Sequence, residues 1–140
     1  MTLLRGAVAV LVGIAVFSLA LLAMNSAGAA ILGAEPEWIN RSTATQVVWA
    51  LGNVAAMIAG GYVGAWIAPG ARVAHAVIVG TIQTGFTLAA FLTLRDEATP
   101  TWLWVAGLVS SVPAAWLGGR LRERVSAPQG GNQPASKQGT

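Results

Sequence analysis

The run from Gly6 to Ala34, GAVAVLVGIAVFSLALLAMNSAGAAILGA, holds 29 consecutive residues without Asp, Glu, Lys or Arg. A helix needs only about 20 apolar residues to cross roughly 30 Å of hydrocarbon. This run alone therefore predicts a membrane-crossing helix. Three more uncharged stretches follow, from Ser42 to Ala71, Val73 to Leu94 and Ala98 to Gly119, and each is long enough for the same role. The expected fold class is all-α: an integral membrane four-helix bundle.

Composition points the same way. Charged residues make up 9% of the 140-residue chain and hydrophobic ones 55%, against about 25% charged in an ordinary soluble domain. Eight basic and five acidic side chains are too few to coat a water-soluble domain of this size. The net charge of +3 comes without a basic stripe interleaved with aromatics, so no nucleic-acid partner is expected. The chain has no cysteine, which excludes disulfide and thiolate chemistry.

Working outward, the first helix is expected over about residues 4–31. Arg5, the apolar run and Ala27-Gly28-Ala29 together mimic a secretory leader. The run continues for about 25 residues, however, where a leader's apolar core has about 7 to 15, so the segment is read as a retained span. Residues 35–42 form a polar connector in which Pro36 opposes helix continuation and Trp38 suits a membrane interface. The second helix is expected over 43–67. Pro69-Gly70 then makes a tight turn, Pro fixing φ and Gly allowing the reversal, into a third helix over 72–94. After a connector at 95–100, Pro100 is placed to start a fourth helix over 101–124. The domain reading is thus a transmembrane unit over 1–125 and a disordered cytoplasmic tail over 126–140, rich in Pro, Gln, Gly, Asn and Ser.

Basic residues divide six to two between the sides: Arg5, Arg72, Arg120, Arg122, Arg124 and Lys137 against Arg41 and Arg95. By the positive-inside rule both termini should be cytoplasmic, with Arg5, Arg72, Arg120, Arg122 and Arg124 as topology anchors in a bacterial inner membrane. Trp38, Trp49, Trp102 and Trp104 fall toward the outer side, and Tyr62, Trp66 and Trp116 toward the inner one. Two tandem helical hairpins are also expected. Val10-Leu11-Val12-Gly13 lines up with Val77-Ile78-Val79-Gly80, and Trp49-Ala50-Leu51-Gly52 with Trp104-Val105-Ala106-Gly107. Two spans separate the copies, so any pseudo-twofold axis would run along the membrane normal.

Two groups of residues are candidates for specific roles. Small residues recur every four positions, as Gly52, Ala56, Gly60 and Gly64 in the second helix and Gly107, Ser111, Ala115 and Gly119 in the fourth. Such series make grooves for close backbone approach, either within the bundle or at a dimer face. Gln46, Asn53, Thr81, Gln83, Thr84 and Thr87 supply hydrogen-bonding groups at membrane depth, as a clasp between helices or as a polar path. No Asp, Glu, Lys or Arg falls inside the four uncharged stretches, so the intramembrane carboxylate on which many ion-coupled transporters depend is missing and active transport is disfavoured. His75, the only histidine, lies near the start of the third helix. A lone His cannot build a zinc site or provide bis-His haem ligation, and an interfacial hydrogen bond is its expected role. Ser18, Ser26, Ser110 and Ser111 have no neighbouring base, so no catalytic residue, metal or cofactor is expected.

Gly60-Gly61-Tyr62-Val63, Ile67-Ala68-Pro69, His75-Ala76, Gly80 and Pro113-Ala114-Ala115-Trp116-Leu117-Gly118-Gly119-Arg120 resemble a group of small bacterial four-span membrane proteins. The resemblance covers about residues 4–120. It implies the architecture, and brings no catalytic or ligand residue with it. The expected function is a non-enzymatic scaffold or accessory subunit. Its partners would be membrane lipids and either a second copy or a larger membrane protein complex. The alternative is a small oligomeric channel or transporter around Asn53 and Thr84.

Overall fold

The computed structural model describes residues 2–32, 39, 42–94 and 99–126. Among them are four helices: α1 (Thr2–Leu32), α2 (Thr43–Ile67), α3 (Arg72–Leu94) and α4 (Thr101–Ser126). All four are long and apolar enough to cross a membrane, and no strand occurs among the described residues. α1 begins two residues before the expected start, and α4 continues two residues past the expected end. The expectations for Pro36, Trp38, Arg41 and Arg95, and for the tail beyond Ser126, lie outside the described residues.

Local chemistry sets the helix ends. Ser42 caps α2 in a reciprocal box: the Thr45 N–H donates to Ser42 Oγ at 3.2 Å, and the Ser42 N–H donates to Thr45 Oγ1 at 3.1 Å. Two otherwise orphaned donors are satisfied this way. Ala68 leaves α2 extended, at φ −58° and ψ 132°, as a residue before proline must. The left-handed residue of the following turn is Ala71, at φ 44°, and not Gly70 as the sequence suggested. Ala68 is extended and Pro69 and Gly70 bend the chain, so the positive φ falls at Ala71, whose carbonyl accepts from the His75 N–H at 3.2 Å. Pro113 lies inside α4. Lacking an N–H, it leaves the Val109 carbonyl without its usual donor.

α2 and α3 each pack against both α1 and α4, while α1 and α4 make no close backbone approach to each other. The interior is built of small residues. Ala9, Ala65, Ala76 and Ala115 are fully buried, and Met57 and Val79 are the largest side chains to reach full burial. Large apolar residues face outward instead: Leu11 is 65% exposed, Leu92 72% and Val109 69%. The normal polarity of a water-soluble bundle is thereby inverted.

The two hairpins pack alike. In the first, a β-carbon on Gly60 would lie 2.7 Å from the Gly13 carbonyl oxygen, and one on Gly64 would lie 3.3 Å from that of Ala9. In the second, a β-carbon on Gly80 would lie 2.9 Å from Ala115 Cβ, and one on Gly119 would lie 2.8 Å from Ala76 Cβ. Ala9 and Gly13 are the positions that align with Ala76 and Gly80, and Gly60 and Gly64 those that align with Ala115 and Gly119.

Candidate functional site

The small-residue series find their neighbours inside the bundle. Gly52, Gly60 and Gly64 face Met24, Gly13 with Phe17, and Ala9, all on α1. Gly107 faces Thr87, Gly119 faces Ala76 and Val73, and Ser111 and Ala115 lie against Gly80, all on α3. Ala56 joins Phe17, Met57, Ala114 and Ala115 in the main buried cluster.

A third seam, between α2 and α4, was missed by the spacing rule. A β-carbon on Gly61 would collide with the Ala115 carbonyl, and one on Gly118 with the Ile58 carbonyl and the Tyr62 nitrogen. Its signal is in the doublets Gly60-Gly61 and Gly118-Gly119. Successive helical residues point about 100° apart, so each doublet serves two neighbours. Gly60 turns to α1 and Gly61 to α4, while Gly119 turns to α3 and Gly118 to α2.

The described charged residues, Arg5, Arg72, Arg120, Arg122, Glu123 and Arg124, all fall at the end of the bundle holding the Pro69-Gly70 turn. There the Arg122 guanidinium lies 6.0 Å from the Tyr62 ring centre and 5.9 Å from that of Trp66, within cation–π range. Arg120 lies 5.3 Å over Trp116 and 3.7 Å from Glu123. His75 Nδ1 lies 3.1 Å from the Ala71 carbonyl oxygen, so that nitrogen carries the proton, and Nε2 packs beside Gly6. Among the described residues no group of three or more His, Cys, Asp or Glu comes together as a metal site.

Toward the other end the helices part around a cavity of about 590 Å³. Every helix contributes to its wall: Phe17 and Leu21 from α1, Trp49 and Asn53 from α2, Gln83, Phe86 and Thr87 from α3, and Leu103, Trp104 and Ser111 from α4. Of the polar residues expected to act together, Asn53, Gln83 and Thr87 meet here. Gln46 is buried in the first turn of α2 and is not part of the wall. Thr81 and Thr84 turn back on their own helix, donating at 2.9 Å to the carbonyls of Val77 and Gly80.

Among the described residues of the wall none has an ionisable side chain. Ser111 donates to the Gly107 carbonyl at 2.6 Å, and the Trp49 indole N–H donates to Asn25 Oδ1 at 3.2 Å across to α1. Asn25 was not singled out from the sequence, where an isolated Asn late in α1 carries no spacing signal. Trp104 packs tilted against Phe91 with ring centres 5.8 Å apart, and its Nε1 is buried without a hydrogen-bond partner among the described residues.

No protein-family model matches the chain, and no characterised protein or solved structure is significantly similar to it. The bundle and its cavity therefore carry the functional argument on their own geometry.

Proposed function

We propose that the chain is a multi-pass protein of the bacterial inner membrane, both termini cytoplasmic, acting as a non-enzymatic scaffold or accessory subunit. The observation that carries this reading is the combination of an outward apolar surface with a seam of small residues running between the helices. Leu11, Leu92 and Val109 on the outside cost nothing in lipid but would be costly in water, at about 25 cal/mol per Å². The clustering of Arg5, Arg72, Arg120, Arg122 and Arg124 at one end supports the orientation.

The seam favours a scaffold over a channel within one copy. Gly13 meets Gly60, Gly61 meets Ala115 and Gly118 meets Ile58 at backbone distance, so the cavity beside Asn53 ends where these contacts begin. Thr84, expected to line a polar path, spends its hydroxyl on Gly80.

The test is the mass of the intact complex after extraction from the native membrane in mild detergent, with identification of what accompanies it. A stoichiometric complex with a larger membrane protein is the expected result. A homo-oligomer free of other proteins would overturn the scaffold reading in favour of a channel or transporter formed between copies.

A further inference from the structure

The cavity is distinctive in what its wall leaves unspent. Elsewhere in α3 the threonines satisfy themselves: Thr81, Thr84 and Thr93 donate to the carbonyls of Val77, Gly80 and Ala89 at 2.9, 2.9 and 2.8 Å. Thr87, on the same helix but in the cavity wall, makes no such bond. Nor do the amides of Asn53 and Gln83 bond to any described residue, and the Trp104 indole N–H is buried and unpartnered. Trp49 offers the contrast, its N–H being taken by Asn25. Polar groups inside hydrocarbon normally find partners because leaving them unmade is costly. Here Asn53, Gln83 and Thr87 border one partly open space and keep their hydrogen-bonding capacity.

We propose that this cavity is a binding site for an uncharged, membrane-soluble amphiphile that presents a carbonyl oxygen to these donors. Neutrality follows from the described wall residues, none of which carries a charge that could balance one on the ligand. An acceptor on the ligand follows from the Asn53 and Gln83 carboxamides, each with two N–H donors that a carbonyl oxygen can take, and is compatible with the Thr87 hydroxyl, which can donate or accept. An apolar body follows from Phe17, Leu21, Phe86 and Leu103 in the same wall. The volume of about 590 Å³ lies within the range of small-molecule pockets, about 300–1,000 Å³. α1 approaches α3 at Gly6 with His75 and at Gly13 with Val79, both toward the arginine-rich end. Phe17, Leu21, Gln83, Phe86 and Thr87 lie beyond those contacts, so a ligand dissolved in the membrane could enter between α1 and α3. A glycerolipid ester and a quinone both carry the required carbonyl.

The full chain in lipid nanodiscs would be incubated with a diazirine-bearing monoacylglycerol, with the corresponding diazirine-bearing fatty carboxylate as the charged control. Illumination and peptide mapping would follow. Saturable labelling within residues 83–90 and 103–107 is expected, at least about five-fold stronger for the neutral probe. Competition by unlabelled monoacylglycerol identifies a glycerolipid site, and competition by a decyl-substituted benzoquinone identifies a quinone site; either supports the proposal. Asn53→Leu with Thr87→Val should lower saturable labelling about ten-fold while leaving the melting temperature of the empty protein unchanged or raised, since the polar groups removed are unpaired. Labelling that does not saturate and spreads over outward residues such as Leu11, Leu92 and Val109 would overturn it. Equal labelling by the two probes would overturn it too, marking the cavity as a water-filled recess. The wild-type arms decide the matter even if the double variant folds poorly.

Discussion

The tightest test of the packing is a comparison of two Gly→Ala changes. On Gly118 the new methyl would meet the Ile58 carbonyl and lie 2.7 Å from the Tyr62 nitrogen, where ordinary contact begins at 3.4 Å. The helices must therefore separate by at least about 0.7 Å along a seam whose contacts are backbone atoms and cannot rotate away. A gap of this size forfeits roughly a quarter to a half of each neighbouring dispersion contact, and overpacking of a rigid site costs about 1–3 kcal/mol. Since both partners here are backbone, the upper part of that range applies. Removing a helical glycine returns at most about 1 kcal/mol, leaving a net loss of about 2 kcal/mol, roughly a 30-fold fall in the folding equilibrium. On Gly85 a β-carbon meets nothing within 4 Å, so Gly85→Ala should be neutral or stabilising by up to about 1 kcal/mol. Reversible unfolding in mixed micelles, followed by far-UV circular dichroism, measures both. Gly118→Ala as stable as Gly85→Ala would refute the seam.

Further outcomes follow from the same geometry. Gly60→Leu drives a side chain into the Gly13 backbone and should destabilise the fold by at least about 3 kcal/mol in the same assay. Gly52→Ala should be tolerated within about 0.5 kcal/mol, because the group it meets is the thioether of Met24, the end of a flexible side chain. Ala71→Gly should stabilise by about 1 kcal/mol, relieving the cost of an L-residue at φ 44°; a loss of stability would show the turn to be unstrained. Trp49→Phe removes the bond to Asn25 and should cost about 1 kcal/mol, with Asn25→Ala adding little on top if the two act as a pair.

The four helices were legible because apolar length is a one-dimensional property, and the stripes from Gly52 to Gly64 and from Gly107 to Gly119 because residues four apart share a helix face. Gly61 and Gly118 escaped because a four-residue rule reads one face at a time, whereas a central helix has two. The polar group was half legible. Asn53, Gln83 and Thr87 share a cavity, but whether a threonine reaches outward or folds onto the carbonyl four residues back is a rotamer choice, and Thr81 and Thr84 made the second one. The turn at Pro69-Gly70 was anticipated in place but not in detail, since which residue takes the positive φ depends on where α3 needs its first carbonyl acceptor. The matching contacts of Ala9 and Gly13 with Gly64 and Gly60, and of Ala76 and Gly80 with Gly119 and Ala115, give the sequence repeat a structural counterpart. In such an apolar alphabet, four matched letters alone carried little weight.

The most direct test of the central claim uses the absence of native cysteine, which makes a single introduced thiol free of background. Thr43→Cys, Gly70→Cys, Leu94→Cys and Val125→Cys replace exposed residues at the ends of the helices, and each would be treated in intact spheroplasts with a membrane-impermeant maleimide. Four spans with cytoplasmic termini predict labelling of positions 43 and 94 in intact cells, and of 70 and 125 only after permeabilisation. Equal labelling of all four in intact spheroplasts, or positions 43 and 70 reacting from the same side, would contradict the four-span membrane bundle.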